Sequence, residues 1–143
     1  AHAVKSDLNI NYLNASPESL DTDLKFDVIL NLEVVEHVED LNLYLSSCSN
    51  LIKKGGIMFT ATLNRTFVSY IKAIIGAEYI LRWLPIGTHD WNKFIKPEEL
   101  EGILIKSKFK NLETKGLQFN PFYRSWSKSD NHSVNYIMVS EKI

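Results

Sequence analysis

Two carboxylates and an imidazole lie close together in the segment 33–37, Glu-Val-Val-Glu-His. One helical turn would place Glu33, Glu36 and His37 on the same side, because residues at i, i+3 and i+4 are neighbours on a helix surface. Such a set can hold a divalent metal ion. The alternative is a solvated helix surface. The position favours the metal site, because a buried strand at 26–32 comes directly before it, and ligands of open α/β sheets sit beyond the carboxyl ends of the strands.

The elements that must position this cluster form a βαβ pattern. Residues 26–32, FDVILNL, predict a strand buried on both faces. Asp40 can cap a helix with one apolar face, and the pair Gly55-Gly56 is expected to stop it. Residues 57–63, IMFTATL, predict a second buried strand. Alternation of this kind implies parallel strands joined by a right-handed crossover, and hence an open α/β sheet.

Weaker patterns flank this unit. Residues 9–13 predict a short strand, and Ser16 with Pro17 predicts the start of a short helix. Residues 64–85 contain more apolar side chains than the buried face of one helix requires. This segment predicts one or two helices outside the regular sheet.

The end of the chain predicts one more helix and two strands. Pro97, followed by two glutamates, opens the helix. Residues 112–119 and 134–140 predict the strands, with a long polar and aromatic hairpin loop between them.

Composition narrows the class of protein. The chain has 143 residues, 45% of them apolar, and a formal charge of −1, which fits one globular domain and gives no reason to expect nucleic acid as a partner. The single cysteine, Cys48, suits a reducing compartment. Neither a secretory signal pattern nor a run of about 18 apolar residues occurs in this sequence. We therefore expect a cytoplasmic protein, or one bound peripherally to the inner face of a membrane.

The motifs resemble a known family. The segment from Phe26 to Val38, FDVILNLEVVEHV, resembles the fourth-strand motif of class I methyltransferases. Further blocks resemble the ubiquinone-biosynthesis O-methyltransferases of bacteria and mitochondria, over essentially the whole chain. These blocks are Thr62-Leu63-Asn64-Arg65, Gly76-Ala77-Glu78-Tyr79-Ile80-Leu81-Arg82, Gly87-Thr88-His89-Asp90, Lys93-Phe94-Ile95-Lys96-Pro97-Glu98-Glu99-Leu100 and Val134-Asn135-Tyr136.

The resemblance implies a Rossmann-like fold and S-adenosylmethionine as cofactor. Leu32 would line the methionine and adenosine portion of that cofactor. Glu33, Glu36 and His37 would match a proposed magnesium site. Magnesium prefers oxygen ligands, whereas manganese, iron or zinc would accept His37 more readily.

The resemblance also implies a catechol substrate with a polyprenyl tail. A cation would lower the pKa of one catechol hydroxyl, so that a phenolate attacks the methyl group. Alternatively, His37 takes that proton as a general base. We favour the role of metal ligand for His37 over that of base.

One part of the family pattern, the glycine-rich cofactor loop, is not found in this sequence. The chain has six glycines, and none forms a Gly-x-Gly cluster after a strand. We therefore expect residues 1–143 to form a single partial methyltransferase domain, the C-terminal two-thirds, with a mostly parallel sheet and a C-terminal antiparallel hairpin. The N-terminal cofactor-loop half would be absent, the chain alone inactive, and the other half or other ubiquinone-biosynthesis proteins would be its partners.

A helical insertion at about 64–92 carries a second hypothesis. It is a lid over the substrate site, or it contacts an anionic membrane surface through Tyr79 and Trp83, with Arg65, Lys72 and Arg82 at its margins. The two roles are compatible, because a substrate with a polyprenyl tail lies in the bilayer. Two rival functions stay open. The chain could be a non-catalytic remnant that binds a membrane or a partner, or part of a methyltransferase for another small acceptor.

Overall fold

Five strands form one sheet in the order β1-β2-β5-β3-β4. The computed structural model describes residues 6–80, 82, 85, 87, 90–120 and 123–143, and the side chains of all of these except 72, 73 and 76–78. The strands are β1 Phe26–Leu32, β2 Ile52–Leu63, β3 Phe109–Asn120, β4 Ser125–Ser129 and β5 Asn135–Lys142. The helices are α1 Leu41–Leu51, α2 Phe67–Ser69, which continues as a π-helix over Tyr70–Ile80, and α3 Pro97–Lys106, with a 3-10 turn at Trp91–Lys93.

The predicted α/β class and the βαβ unit are confirmed, but the sheet is mixed rather than mostly parallel. Strands β1 and β2 pair in parallel around α1, whereas β5 pairs antiparallel with both β2 and β3. Strands joined through helices therefore run in one direction, as the crossover rule requires. Strands β4 and β5 run the opposite way, and β5 lies between β2 and β3, so those two parallel strands do not pair with each other.

Helix α1 begins as predicted and ends earlier. The Asp40 carboxylate caps it by accepting a hydrogen bond from the Leu43 N–H at 3.0 Å. The glycine pair does not stop the helix, because α1 ends at Leu51 and both glycines lie inside β2. Gly55 has φ of +77°, and a Cβ on Gly56 would lie 3.0 Å from the Asp27 carbonyl oxygen. The glycines therefore serve a bulge where the register of β1 against β2 shifts.

Residues 6–25 form neither the strand nor the helix that we predicted. The segment at 16–19 makes only a turn, closed by the Ser19 N–H on the Ser16 carbonyl at 3.1 Å. A strand at 9–13 would need a neighbour to satisfy its backbone, and none of the described strands pairs with it. Tyr12 and Leu13 are consequently exposed.

The core lies on one face of the sheet, where α1 and α3 pack. Its centre consists of fully buried side chains from both helices and from the middle strands: Leu45, Cys48, Met58, Leu100, Leu104, Tyr136 and Met138. We predicted that strand β1 is buried on both faces, but it is buried on one face only. Phe26, Val28, Leu30 and Leu32 are all exposed.

The insertion begins at a tight capping box. The Thr66 hydroxyl accepts from the Ser69 N–H at 3.0 Å, and the Ser69 hydroxyl accepts from the Thr66 N–H at 3.2 Å. Trp91 closes the far end by donating its indole N–H to the Thr66 carbonyl at 3.1 Å. At least one predicted helix is thus present, and Trp83 and His89 lie outside the described residues.

No helix in the described ranges is long and apolar enough to cross a bilayer. The predicted hairpin loop near the end of the chain contains a strand of its own, because β4 pairs with the second half of β3.

Candidate active site

The predicted cluster lies where the two parallel strands end. The Glu33 N–H donates to the Ala61 carbonyl at 2.9 Å, which extends the pairing of β1 with β2 by one residue. Glu33 itself has φ of +55°, a left-handed conformation that a non-glycine residue adopts at a cost of about 1–3 kcal/mol. This reversal turns the chain back over the end of the sheet, and residues 34–37 form a turn rather than the helical turn we predicted.

Glu36 is the buried carboxylate of the site, with only 3% of its surface exposed. Its Oε2 accepts a hydrogen bond from the Thr62 hydroxyl at 2.7 Å. Its Oε1 is equally buried and has no hydrogen-bond partner among the described residues. A buried carboxylate oxygen without a partner is costly, so this atom is suited to accept a hydrogen bond or to ligate a cation.

Glu33 lies beside Glu36 and is destabilised as an anion. Partial burial first, and then repulsion from Glu36, raise the pKa of Glu33 to about 8. The side chain as a whole is exposed, so solvent screens part of this repulsion. Two adjacent carboxyl groups at this point can share a proton or a cation.

His37 does not join the two carboxylates. Its backbone N–H closes the turn on the Val34 carbonyl at 2.9 Å, and its side chain is exposed. Among the residues that the structure describes, no three acidic, histidine or cysteine side chains are close enough to hold a metal ion. The described side chains therefore do not form the predicted three-ligand set that includes His37.

Leu32 is the last residue of β1 and is exposed, so it is accessible to a ligand at this edge. Sequence reasoning missed its neighbour Asn31, which is buried. The Asn31 amide oxygen accepts from the Tyr44 hydroxyl at 2.8 Å, and its NH₂ group lies 3.2 Å from the Met58 sulfur. A polar residue inside an otherwise apolar strand was the available signal. Asn31 ties β1 to both α1 and β2 directly below the site.

A cavity of about 640 Å³ opens beside the turn at 33–40. Its wall combines apolar groups with three carboxylates, and it is lined by Ala15, Ser16, Pro17, Glu18, Val34, Val38, Glu39, Asp40, Leu43 and Tyr44. Such a wall offers apolar contacts and hydrogen-bond acceptors. This cavity could not be predicted from the sequence, because residues 15–18 and 34–44 approach each other only in the folded chain.

The comparisons with known proteins place the chain among methyltransferase domains. The family model described as a methyltransferase domain matches residues 3–114, and the chain belongs to this family. The N-methyltransferase NodS from Bradyrhizobium japonicum, solved in complex with S-adenosyl-L-homocysteine, has the same fold with a TM-score of 0.61 at 13% identity. That match covers 99% of this chain and 58% of NodS.

Within this class, the chain is similar in sequence to proteins that share one name. It is 54% identical over 136 residues to the ubiquinone biosynthesis O-methyltransferase of Pelagibacter ubique, which covers 95% of this chain and 57% of the relative. It is 49% identical to the enzyme of the same name from Brucella anthropi, over 99% of this chain and 57% of that relative. The predicted resemblance is confirmed, and the chain spans a little over half the length of these relatives.

Proposed function

We propose that the protein to which this chain contributes transfers a methyl group from S-adenosylmethionine to a phenolic hydroxyl of a catechol with a polyprenyl tail. The name of the similar enzymes supports an O-methyl transfer in ubiquinone biosynthesis. The observation that carries the proposal on this chain is the buried Glu36, fixed by Thr62 beside Glu33 at the carboxyl ends of β1 and β2. Ligands of open α/β sheets bind at this edge.

The reaction is a displacement at carbon. The phenol oxygen forms a bond to the methyl carbon while the bond from that carbon to the cofactor sulfur breaks, which leaves S-adenosylhomocysteine and an aryl methyl ether. The phenol must lose its proton, and the exposed His37 at the same turn is the group that we assign as general base. Leu32 is assigned to the cofactor, because it is exposed at the end of β1.

We assign Glu33 and Glu36 as the residues that would hold a divalent cation. Two neighbouring carboxyl groups, one with a free buried oxygen, suit magnesium better than a set that requires the imidazole. When bound, such an ion would lower the pKa of the catechol hydroxyls and fix their orientation. The two carboxyl groups themselves orient the substrate by accepting hydrogen bonds from it.

A chimera tests this function, with residues 1–143 in place of the matched segment of the Pelagibacter ubique relative. We expect it to methylate a short-tailed catechol, and the Glu36→Gln variant to lose methylation while it keeps nearly the parent affinity for S-adenosylhomocysteine in calorimetry. An equal loss of methylation and of affinity for S-adenosylhomocysteine would assign Glu36 a structural role. An inactive chimera that still binds the cofactor product would favour another small acceptor, and one that binds nothing would favour a non-catalytic module.

A further inference from the structure

Asn64 is the first residue after β2 and is buried, with 7% of its surface exposed. Its backbone N–H donates to the Val134 carbonyl at 2.9 Å, which continues the pairing of β2 with β5 by one residue. Side chains alternate along a strand, so Asn64 lies on the same side of the sheet as Thr62. This is the side on which the Thr62 hydroxyl contacts Glu36.

The orientation of the Asn64 side-chain amide is fixed by the chain around it. Its Nδ2 donates to the His132 carbonyl at 2.7 Å. An amide oxygen in that position would face another acceptor, so the nitrogen and the oxygen cannot exchange places. The Asn64 Oδ1 is buried and has no hydrogen-bond partner among the described residues. The backbone C=O of Asn64, by contrast, accepts from the Ser69 hydroxyl.

Asn64 Oδ1 and Glu36 Oε1 are two buried acceptors at the carboxyl ends of the parallel strands. Glu36 is held through its Oε2 by Thr62, and its Oε1 lacks a partner in the described part of the chain. Asn64 is held through its Nδ2 by His132 in the same way. Buried polar atoms of native proteins are nearly always paired, so the two oxygens indicate a ligand with two hydrogen-bond donors. Because both are buried, a ligand reaches them only when the chain that covers them moves.

We propose that Asn64 is a substrate-binding residue whose Oδ1 accepts a hydrogen bond from the catechol hydroxyl that is not methylated. The inference rests on the proposed function. A neutral amide oxygen accepts a hydrogen bond without helping to remove the proton, so it suits the hydroxyl that stays protonated. The Glu36 carboxylate then faces the hydroxyl that reacts. A phenol with one hydroxyl would leave one buried acceptor unpaired, so the two residues together select catechols.

The chimera with the Pelagibacter ubique relative, saturated with S-adenosylhomocysteine, tests this selection by calorimetry with two short-tailed ligands. One is the catechol, and the other is the phenol that keeps only the hydroxyl that is methylated. We expect the parent to bind the catechol at least about tenfold more tightly than the phenol. Asn64→Leu should reduce this ratio to about threefold or less, because the buried acceptor is gone. Asn64→Ala, a smaller replacement, should reduce it as well.

Thr66→Val is the matched control. The Thr66 hydroxyl donates to the Ser133 carbonyl, next to the carbonyl that holds Asn64. Its loss therefore loosens the same loop without removing the Asn64 Oδ1, and the ratio of the two affinities should stay at the parent value. Circular dichroism confirms that each variant is folded before its affinities are compared.

Three results would overturn the inference. These are a ratio near one in the parent, a ratio that both Asn64 variants leave unchanged, and a loss in Thr66→Val equal to that in Asn64→Leu. If the parent chimera methylates the catechol in any of these cases, the proposed function still holds. A parent chimera that does not methylate the catechol would overturn the proposed function, and this inference with it.

Discussion

The Thr62 hydroxyl donates a 2.7 Å hydrogen bond to Glu36 Oε2, and both side chains are buried at the carboxyl ends of the parallel strands. This bond crosses from β2 to the turn after β1, so it fixes the turn against the sheet. It also leaves the second Glu36 oxygen available. A single hydroxyl thus links the stability of the domain to the geometry of its site.

Replacing Thr62 by valine should test both consequences. The shape is kept and the donor is lost, so we expect the free energy of unfolding to fall by about 1.5–3 kcal/mol, the range for a hydrogen bond to a charged group. Urea unfolding of the chain measures this. In the chimera, methyl transfer should fall as well, and Thr62→Ser should restore most of it.

Thr60→Val is the matched control for that variant. Thr60 lies two residues earlier on β2, is equally buried, and its hydroxyl has no hydrogen-bond partner among the described residues. Removing it should leave stability unchanged or slightly higher. A loss as large as that of Thr62→Val would mean that the Glu36 contact contributes nothing specific.

Sequence patterns predicted the parts of the fold that depend on the residues of one short segment. The βαβ unit, the Asp40 cap and the last helix each follow from short segments whose side chains decide the structure themselves. The interposed β5 and the exposed face of β1 depend on which distant strands pair and on what covers the sheet. An apolar run such as residues 28–32 has the same composition whether or not its second face is covered.

The position of the candidate site could be predicted from the sequence, but most of its geometry could not. Placing Glu33 and Glu36 after a buried strand required only the strand pattern and the rule for sheet edges. The left-handed conformation of Glu33 and the turn that leaves His37 exposed could not be predicted from helical spacing. Thr62 was visible only as part of a family motif, because its partner lies 26 residues away.

Removing the cap of α1 should cost stability. Asp40→Ala loses the side-chain acceptor for the Leu43 N–H, which is expected to lower the free energy of unfolding by about 0.5–2 kcal/mol. Glu39→Ala, a neighbouring exposed carboxylate, is the control and should have little effect. Urea denaturation of the two variants measures the difference, and equal losses would contradict the capping role.

Cys48 should be unreactive in the folded protein. It is almost fully buried in the core, and burial raises the pKa of its thiol to about 11, so little thiolate exists at pH 8. We expect negligible alkylation by iodoacetamide in buffer and complete alkylation in urea, followed by mass spectrometry. Raising the pH toward 10 should accelerate the native reaction, because it increases the thiolate fraction, although burial of Cys48 still limits access. Rapid native labelling at pH 8 would show that α1 opens frequently.

The helical segment of the insertion should contact anionic lipid, a role that is compatible with that of a lid. Phe67 and Ile80, at its two ends, are 74% and 71% exposed. Inserting two such side chains into a bilayer interface contributes several kcal/mol, at about 25 cal/mol per Å² of apolar surface. This supports reversible binding rather than permanent anchoring.

Co-sedimentation of the chain with liposomes that contain or lack an anionic lipid measures this contact. A variant with Phe67→Ser and Ile80→Ser should pellet less than the parent, and Ile105→Ser, which removes a similarly exposed apolar side chain on α3, should pellet equally well. Arg65 is paired with Glu99 and so contributes less to headgroup attraction than a free cation would. Salt should therefore weaken binding only moderately. If the double variant is folded and pellets like the parent, the insertion does not bind lipid and the lid hypothesis is preferred.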